Sequence, residues 1–222
     1  MTEVVPSKNS KGFDIVLVGV GGQGIVMLSN AIGQACAQAG VRALTGELHG
    51  LSQRSGTVYI HMRLGGDAIS PLIPYGEADA IVALEAMEAL RYIEYLKDNG
   101  IVIMNTRVMH PTIEVATLSK EKRTDFIQFD TILEKLKVVS QNVSPIDALA
   151  LAKEAGNPQT ENAVFIGALS ALVDLPVTIK NMKSGLEKVV PKKAIKQNLK
   201  AFDLGHKAAY NSLCKLVACR EA

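Results

Sequence analysis

Six residues, Gly19-Val20-Gly21-Gly22-Gln23-Gly24, constrain this chain more than any others. They fit G-x-G-x-x-G and stand between an apolar run, FDIVLVG at 13–19, and a run rich in Ala, Leu, Ile and Met at 25–39. A run that is apolar on both faces suits a central parallel strand, and the second run reads as a helix stopped by Gly40. Glycine lets the backbone turn sharply and approach a bound anion, while the N–H groups of the helix start face that anion with the helix dipole behind them. Residues 41–45 predict a second strand, so 13–45 opens the chain as a βαβ-type unit.

The pattern continues with an irregular stretch at 46–56, an alternating strand at 57–64 (TVYIHMRL) and a turn at Gly65-Gly66-Asp67. Residues 80–84 predict a short buried strand. A helix over 85–96 is expected to end at Asn99-Gly100, and a strand follows at 101–104. Short strands are expected at 126–129 and 138–141. From Pro145, taken as a first-turn proline, the pattern turns helical: PIDALALAKEAG, then the apolar ENAVFIGALSALVDL, then lysine-rich amphipathic runs at 180–189 and 191–217. The expected fold is a Rossmann-like three-layer α/β/α sandwich with a mostly parallel sheet. Residues 1–12 read as a disordered lead and 13–222 as a single α/β domain, with its core at 13–144 and a helical C-terminal region at 145–222.

Composition removes several function classes. The chain is 48% hydrophobic and 21% charged with a net charge of +2, which places it among globular proteins rather than disordered ones. No stretch reaches the roughly 20 apolar residues of a membrane span, and the polar start has no apolar signal core. With no Trp and only five Phe and five Tyr, a stacking platform for nucleic acid is not supported. The three cysteines, Cys36, Cys214 and Cys219, form no C-x-x-C pair. They point away from a disulfide framework and from a cluster held by this chain alone, and towards a reducing cytoplasm, with Cys214 and Cys219 as small residues in a helix seam. Charge is uneven: residues 180–222 hold 10 Lys/Arg and 3 Asp/Glu, a net of +7. A solvated helical face is the plain reading, and docking on an acidic partner the sharper one.

The candidate site begins with Gly19, Gly21, Gly22, Gln23 and Gly24 as a cofactor-binding turn. Glu47 lies 23 residues after Gly24, where a dinucleotide enzyme keeps its ribose-binding acid, so a self-sufficient NAD(P)-dependent oxidoreductase is the alternative reading. Two features weigh against it. Gln23 puts an amide into the turn, and Glu47-Leu48-His49-Gly50-Leu51-Ser52-Gln53-Arg54-Ser55-Gly56 stands where an ordinary dinucleotide fold enters its next helix. Ser52, Gln53 and Arg54 join the candidate site, and the Arg54 fork suits phosphate or carboxylate. His61 reads as a structural histidine, and His49, His110 and His206 form no metal-ligand pattern. No G-x-S-x-G surrounds Ser52, so a hydrolase nucleophile is not expected. No catalytic residue and no metal ligand is assigned.

VGVGGQGIVMLSNAIGQA (18–35), GELHGLSQRSGTVYIHMRLG (46–65) and SPLIPYGEADAIVALEAMEALR (70–91), together with NPQTENAVFIGA (157–168) and KQNLKAFDLG (196–205), carry a resemblance. They resemble the gamma-type domain of 2-oxoacid:ferredoxin oxidoreductases, in particular the beta-subunit type of the indolepyruvate enzymes, from about residue 13 to 210. Family members often carry glycine where this chain has Ser55, which bears on the shape of that loop. The resemblance implies an accessory subunit of an enzyme that oxidatively decarboxylates aryl 2-oxoacids such as indolepyruvate. It implies thiamine diphosphate, coenzyme A and [4Fe-4S] clusters in the complex, a large partner subunit that carries the thiamine diphosphate and the clusters, and ferredoxin as electron acceptor. No nucleic acid or membrane partner is implied, and the isolated chain is expected to be inactive. The residues agree in one respect: no thiamine diphosphate motif is recognisable, because Gly65-Gly66-Asp67 has no asparagine at the required spacing.

Overall fold

The computed structural model describes residues 12–49, 56–110 and 126–221, the side chain of His49 excepted. In chain order the elements are β1 (Phe13–Val20), α1 (Ile25–Ala39), β2 (Ala43–His49), β3 (Thr57–Leu64), β4 (Ala78–Ala83), α2 (Ala86–Arg91), β5 (Leu96–Asn105), α3 (Phe129–Val139), β6 (Val143–Ile146), α4 (Ala148–Ala155), α5 (Glu161–Ser170), α6 (Ile179–Val189) and α7 (Ile195–Leu213). The six strands form one sheet in the order β2-β3-β1-β4-β5-β6. The pairs β1/β4, β4/β5 and β5/β6 are parallel, while β3 runs antiparallel to both neighbours, β1 and β2. Five of the six strands therefore point the same way, and the expected mostly parallel three-layer sandwich is the fold observed.

Alternation along β1 explains why its sequence is apolar throughout. Ile15 and Leu17 face a core shared with Leu28 and Ile32 of α1, Phe165 of α5 and Phe202 of α7. Val16 and Val18 face a second core with Ile81 and Met104, closed by Ile132 and Leu136 of α3. Burying each such aliphatic side chain contributes about 1.5–3 kcal/mol. On the first face α5 and α7 cross with almost no space between their backbones. A Cβ at Gly167 would overlap the Phe202 carbonyl, and one at Gly205 would overlap the Val164 carbonyl.

Several local expectations give way to tertiary pairing. Residues 46–49, expected to be irregular, extend β2, because β3 pairs with it from Ala43↔Leu64 to His49↔Val58. An edge strand tolerates polar residues such as Glu47 on its solvated side. The helix expected to reach residue 96 ends at Arg91, and Leu96 opens β5. Asn99, with φ of 57°, is not a helix stop but part of an irregularity where the β4/β5 register jumps from Ala78↔Leu96 to Ala80↔Ile101.

The strands expected at 126–129 and 138–141 are also replaced. Helix α3 occupies Phe129–Val139 and buries Ile132 and Leu136 at helical spacing, and the strand comes later at Val143–Ile146. Pro145 lies in that strand rather than in a first helical turn. β6 ends the sheet, so a missing N–H is tolerated there. Helix α4 starts instead from Asp147, whose Oδ1 accepts the Ala150 N–H at 2.9 Å.

The cysteine reading needs the largest correction. Cys214 and Cys219 are joined by a disulfide, which a helix seam would not bring about. Helix α7 ends at Leu213, and the chain then doubles back so that Cys219 forms an antiparallel bridge with Leu172. Arg220 donates to the carbonyls of Val173, Leu175 and Val177, and the His206 ring lies between Ser170 Oγ and the Arg220 carbonyl. Cys36 is buried, and burial pushes its thiol up to about 12. Replacing Cys214 and Cys219 together by serine is expected to lower stability by about 2 kcal/mol, the chain-entropy value for so short a loop. Urea denaturation with and without dithiothreitol checks this. The native protein should lose that increment on reduction and the double variant should not, and a midpoint unmoved by reduction contradicts it.

Candidate functional site

Strands β2 and β3 extend the sheet to one side of β1 and β4 to the other, so the strand order reverses at β1/β4. Crevices outside the carboxyl ends of strands at such a reversal are where open α/β sheets take ligands. A cleft of about 210 Å³ lies there, lined by Gly22 and Gln23 after β1, Leu84 after β4, Asn105 and Arg107 at the end of β5, and Glu161, Asn162 and Phe165 of α5.

The glycine turn is held mostly by itself. Gln23 N–H donates to the Val20 carbonyl at 3.1 Å, and Gln23 Oε1 accepts the Val20 N–H at 2.8 Å. The amide that the sequence offered to a ligand thus folds back onto its own loop, and Nε2 rests against Met109 Sδ at 3.5 Å. A Cβ at Gly19 would meet Gln23 Oε1 at 2.8 Å and so push the amide from its bond to the Val20 N–H. Gly22 and Gly24 adopt φ of 94° and 76°, the left-handed region that favours glycine. Asn162 Nδ2 donates to the carbonyls of Gln23 and Gly24 at 3.0 and 3.2 Å, fastening the turn to α5. Gly21 N–H donates to the Gly56 carbonyl at 2.9 Å. Among the described residues, this leaves the N–H groups of Gly22, Gly24, Ile25, Val26 and Met27 without acceptors around the start of α1.

The opposite wall is built from the residues after β5. Asn105 is buried, donates to the Leu84 carbonyl at 3.1 Å and accepts the Arg107 N–H at 3.4 Å. Arg107 Nη2 reaches both carboxylate oxygens of Glu161, at 2.9 and 2.8 Å. Glu85, 1% exposed, caps α2 through the Glu88 N–H at 3.0 Å and holds the Met109 N–H at 2.8 Å. Burial pushes the Glu85 carboxyl above the usual carboxylate range, and these backbone donors pull it partly back. The cleft therefore has Gly22 and Gln23 of the turn on one wall and, on the other, an arginine whose charge is met by a carboxylate. That set suits binding and orienting a ligand, and its described residues hold no nucleophile–base pair. Among the described residues no three of His, Cys, Asp and Glu are placed to hold a metal ion.

Of the residues picked from sequence, Gly19, Gly21, Gly22, Gln23 and Gly24 come together here. Ser52, Gln53 and Arg54 lie outside the described residues, although Gly56, which follows them, touches the turn through Gly21. Glu47 is not brought to the turn. Strand β3 intervenes between β1 and β2, and Glu47 pairs with Ile60, which pairs with Leu17. Two strand spacings, roughly 9.5 Å, separate it from β1. A dinucleotide-binding unit has its acid on the strand adjacent to β1, so the nicotinamide alternative loses its geometry. Sequence reasoning missed Asn105, Arg107, Glu161 and Asn162. Arg107 and Glu161 are 54 positions apart, and only the 157–168 segment that shared in the resemblance pointed towards them.

The pyruvate ferredoxin/flavodoxin oxidoreductase family model matches residues 14–208. An indolepyruvate oxidoreductase subunit IorB from Pyrococcus horikoshii is 40% identical over 207 residues, covering 91% of this chain and 98% of that protein. The gamma subunit of a keto/oxoacid ferredoxin oxidoreductase from Geobacter sulfurreducens shares the fold at a TM-score of 0.68 and 19% identity, covering 91% of this chain and 98% of that one. A 2-oxoglutarate:ferredoxin oxidoreductase from Magnetococcus marinus, with 2-oxoglutarate, coenzyme A and succinyl-CoA bound, shares it at a TM-score of 0.68 and 23% identity, over 96% of this chain and 33% of that one.

Proposed function

The chain belongs to the pyruvate ferredoxin/flavodoxin oxidoreductase family, and from that premise we propose that it is the accessory subunit of an aryl 2-oxoacid:ferredoxin oxidoreductase acting on indolepyruvate. The observation that carries this reading is the 40% identity with a named indolepyruvate oxidoreductase subunit across 98% of that subunit's length. The complex works in the cytoplasm, where it passes electrons to ferredoxin. No helix among the described residues is long and apolar enough to cross a membrane.

Thiamine diphosphate, coenzyme A and [4Fe-4S] clusters, when bound in the complex, supply the decarboxylation, the acyl acceptor and the path for electrons. The clusters do not fit this chain: Cys36 is buried alone, and Cys214 and Cys219 are bonded to each other, which leaves no cysteine set. On this reading the large partner subunit carries the clusters and the thiamine diphosphate. A cofactor phosphate does fit the glycine turn. Gly24 is the N-cap of α1, the first-turn N–H groups that follow it have no side-chain cap, and the helix dipole adds its attraction. The chain's part is to close the crevice over a phosphorylated cofactor with this turn and the 52–54 segment, and to keep water from it with the fixed walls at 105–109.

The test is co-expression with the large cluster-bearing chain and an assay of indolepyruvate- and coenzyme A-dependent reduction of ferredoxin. Activity is expected only when both chains are present. Full activity of the large chain alone, or a complex that turns over other 2-oxoacids and not indolepyruvate, overturns the reading.

A further inference from the structure

A second cavity, of about 260 Å³, shares no lining residue with the cleft at the glycine turn. It lies on the face of the sheet that carries α2 and α3, walled by Tyr59 and His61 of β3, by Leu72, Ile73 and Tyr75 of the segment leading to β4, and by Tyr95. The rings are arranged as a cage. Tyr59 and His61 have centroids 5.5 Å apart, the His61 ring meets Tyr95 edge-on at 4.9 Å, and Tyr75 lies 4.6 Å from Tyr95. Among the described residues no lysine or arginine lines it.

His61 is 2% exposed, and its Nδ1 accepts the Ile73 N–H at 2.8 Å. A ring nitrogen that accepts carries no proton, so the proton of the neutral imidazole is on Nε2. Burial holds the ring below its ordinary pKa of 6.5 and so keeps it neutral. Nε2 is shut off from water and has no acceptor among the described residues. A buried donor left in this way is costly, and a ligand that supplies an acceptor recovers the cost.

We propose that this cavity binds a small neutral aromatic molecule carrying one acceptor oxygen, a ketone or an amide, which takes the His61 Nε2–H while the tyrosine rings hold its ring. The size suits it: an apolar cavity of about 150 Å³ takes benzene, so this one admits a substituted ring. Neutrality follows from the described walls, which offer a carboxylate no lysine or arginine. Tyr75, 65% exposed and 4.6 Å from the Tyr95 ring, forms the outer wall. This site is independent of the proposed enzymatic role.

The chain supplies its own reporter. It has no tryptophan, and Tyr59, Tyr75, Tyr92 and Tyr95 form one cluster at the cavity, leaving Tyr210 as the fifth tyrosine. The probes are acetophenone, ethylbenzene of nearly the same shape without the oxygen, and benzoate, titrated into the full-length protein. Tyrosine emission and the His61 side-chain N–H resonance are followed together. Acetophenone is expected to saturate both signals, with ethylbenzene and benzoate each about tenfold weaker or more. His61→Phe should bring acetophenone down to the level of ethylbenzene. If that variant does not fold, Tyr75→Ala at the exposed rim should weaken acetophenone while leaving the fold intact. Equal binding of acetophenone and ethylbenzene, or an unmoved His61 resonance at saturation, overturns the proposal. Exclusion of acetophenone by the bound partner chain overturns it as well, since the cavity is then a subunit contact.

Discussion

Gly167→Ala and Gly205→Ala are each expected to lower stability by about 3 kcal/mol, the upper end of the cost of forcing a methyl into a packed core. In a chain of this length that corresponds to a melting temperature roughly 6–12 °C lower. The reason is reciprocal. Gly167 of α5 lies against the Phe202 carbonyl of α7, and Gly205 of α7 lies against the Val164 carbonyl of α5. The added methyl meets backbone on both sides, and backbone cannot rotate out of the way as a side chain can. The two helices would have to separate, opening the buried seam that holds Phe165 and Phe202. Gly33→Ala is the control. It also lies within a helix, but nothing stands within 4 Å of where its Cβ would be, so the better helix propensity of alanine should raise stability by about 0.5–1 kcal/mol. Urea denaturation of the three variants gives the answer. A loss below about 1 kcal/mol at Gly167 or Gly205 would mean the helices are not in backbone contact.

Arg54→Ala is expected to weaken a phosphate-bearing cofactor in the assembled complex by about 1.5–3 kcal/mol, the range for a hydrogen bond to a charged group. Gly56, two residues later in the chain, already hydrogen-bonds the glycine turn through Gly21. An anion held by Gly22 N–H and Gly24 N–H would leave negative charge to be met. Arg107 is partly engaged, because its Nη2 holds the Glu161 carboxylate. We propose that Arg54, which lies outside the described residues, meets that charge, since its fork can hold two oxygens at once. Arg54→Lys should not rescue, since lysine lacks the fork. The measurement is steady-state kinetics of the reconstituted complex with coenzyme A and thiamine diphosphate varied separately. Apparent affinities and rate all within twofold of the native values would remove Arg54 from the cofactor site, and loss of assembly would move it to the subunit interface.

What could be read from the chain before folding was whatever local chemistry controls. The apolar run at 13–20 is buried on both faces as β1, the glycine turn stands between β1 and α1, and Gly40 closes that helix. The apolar segment after Glu161 is a helix buried from Ala163 to Ser170. These features are set by spacing, by glycine's freedom at positive φ, and by the need to hide apolar surface, all within one element. The errors fell where a local pattern was ambiguous and a distant partner decided. Residues 129–139 have apolar positions that suit a short strand or a helix, and the open face beside α2 selected the helix. Asn99-Gly100 suits a helix stop or a strand irregularity, and the pairing of β4 with β5 selected the second.

The sequence by itself determined the α/β class, the strand–turn–helix opening and, through five separated motifs, the family. Tertiary structure alone decided three things: that β3 enters antiparallel between β1 and β2 and so carries Glu47 away from the turn, that Arg107 meets Glu161 and Asn162 grips the glycine loop, and that Cys219 returns to Cys214. The physical reason is common to all three. Hydrophobic period and turn chemistry act over a few residues, whereas strand order and side-chain pairs between segments tens of residues apart are set by which apolar faces close on one another when the whole sheet is covered.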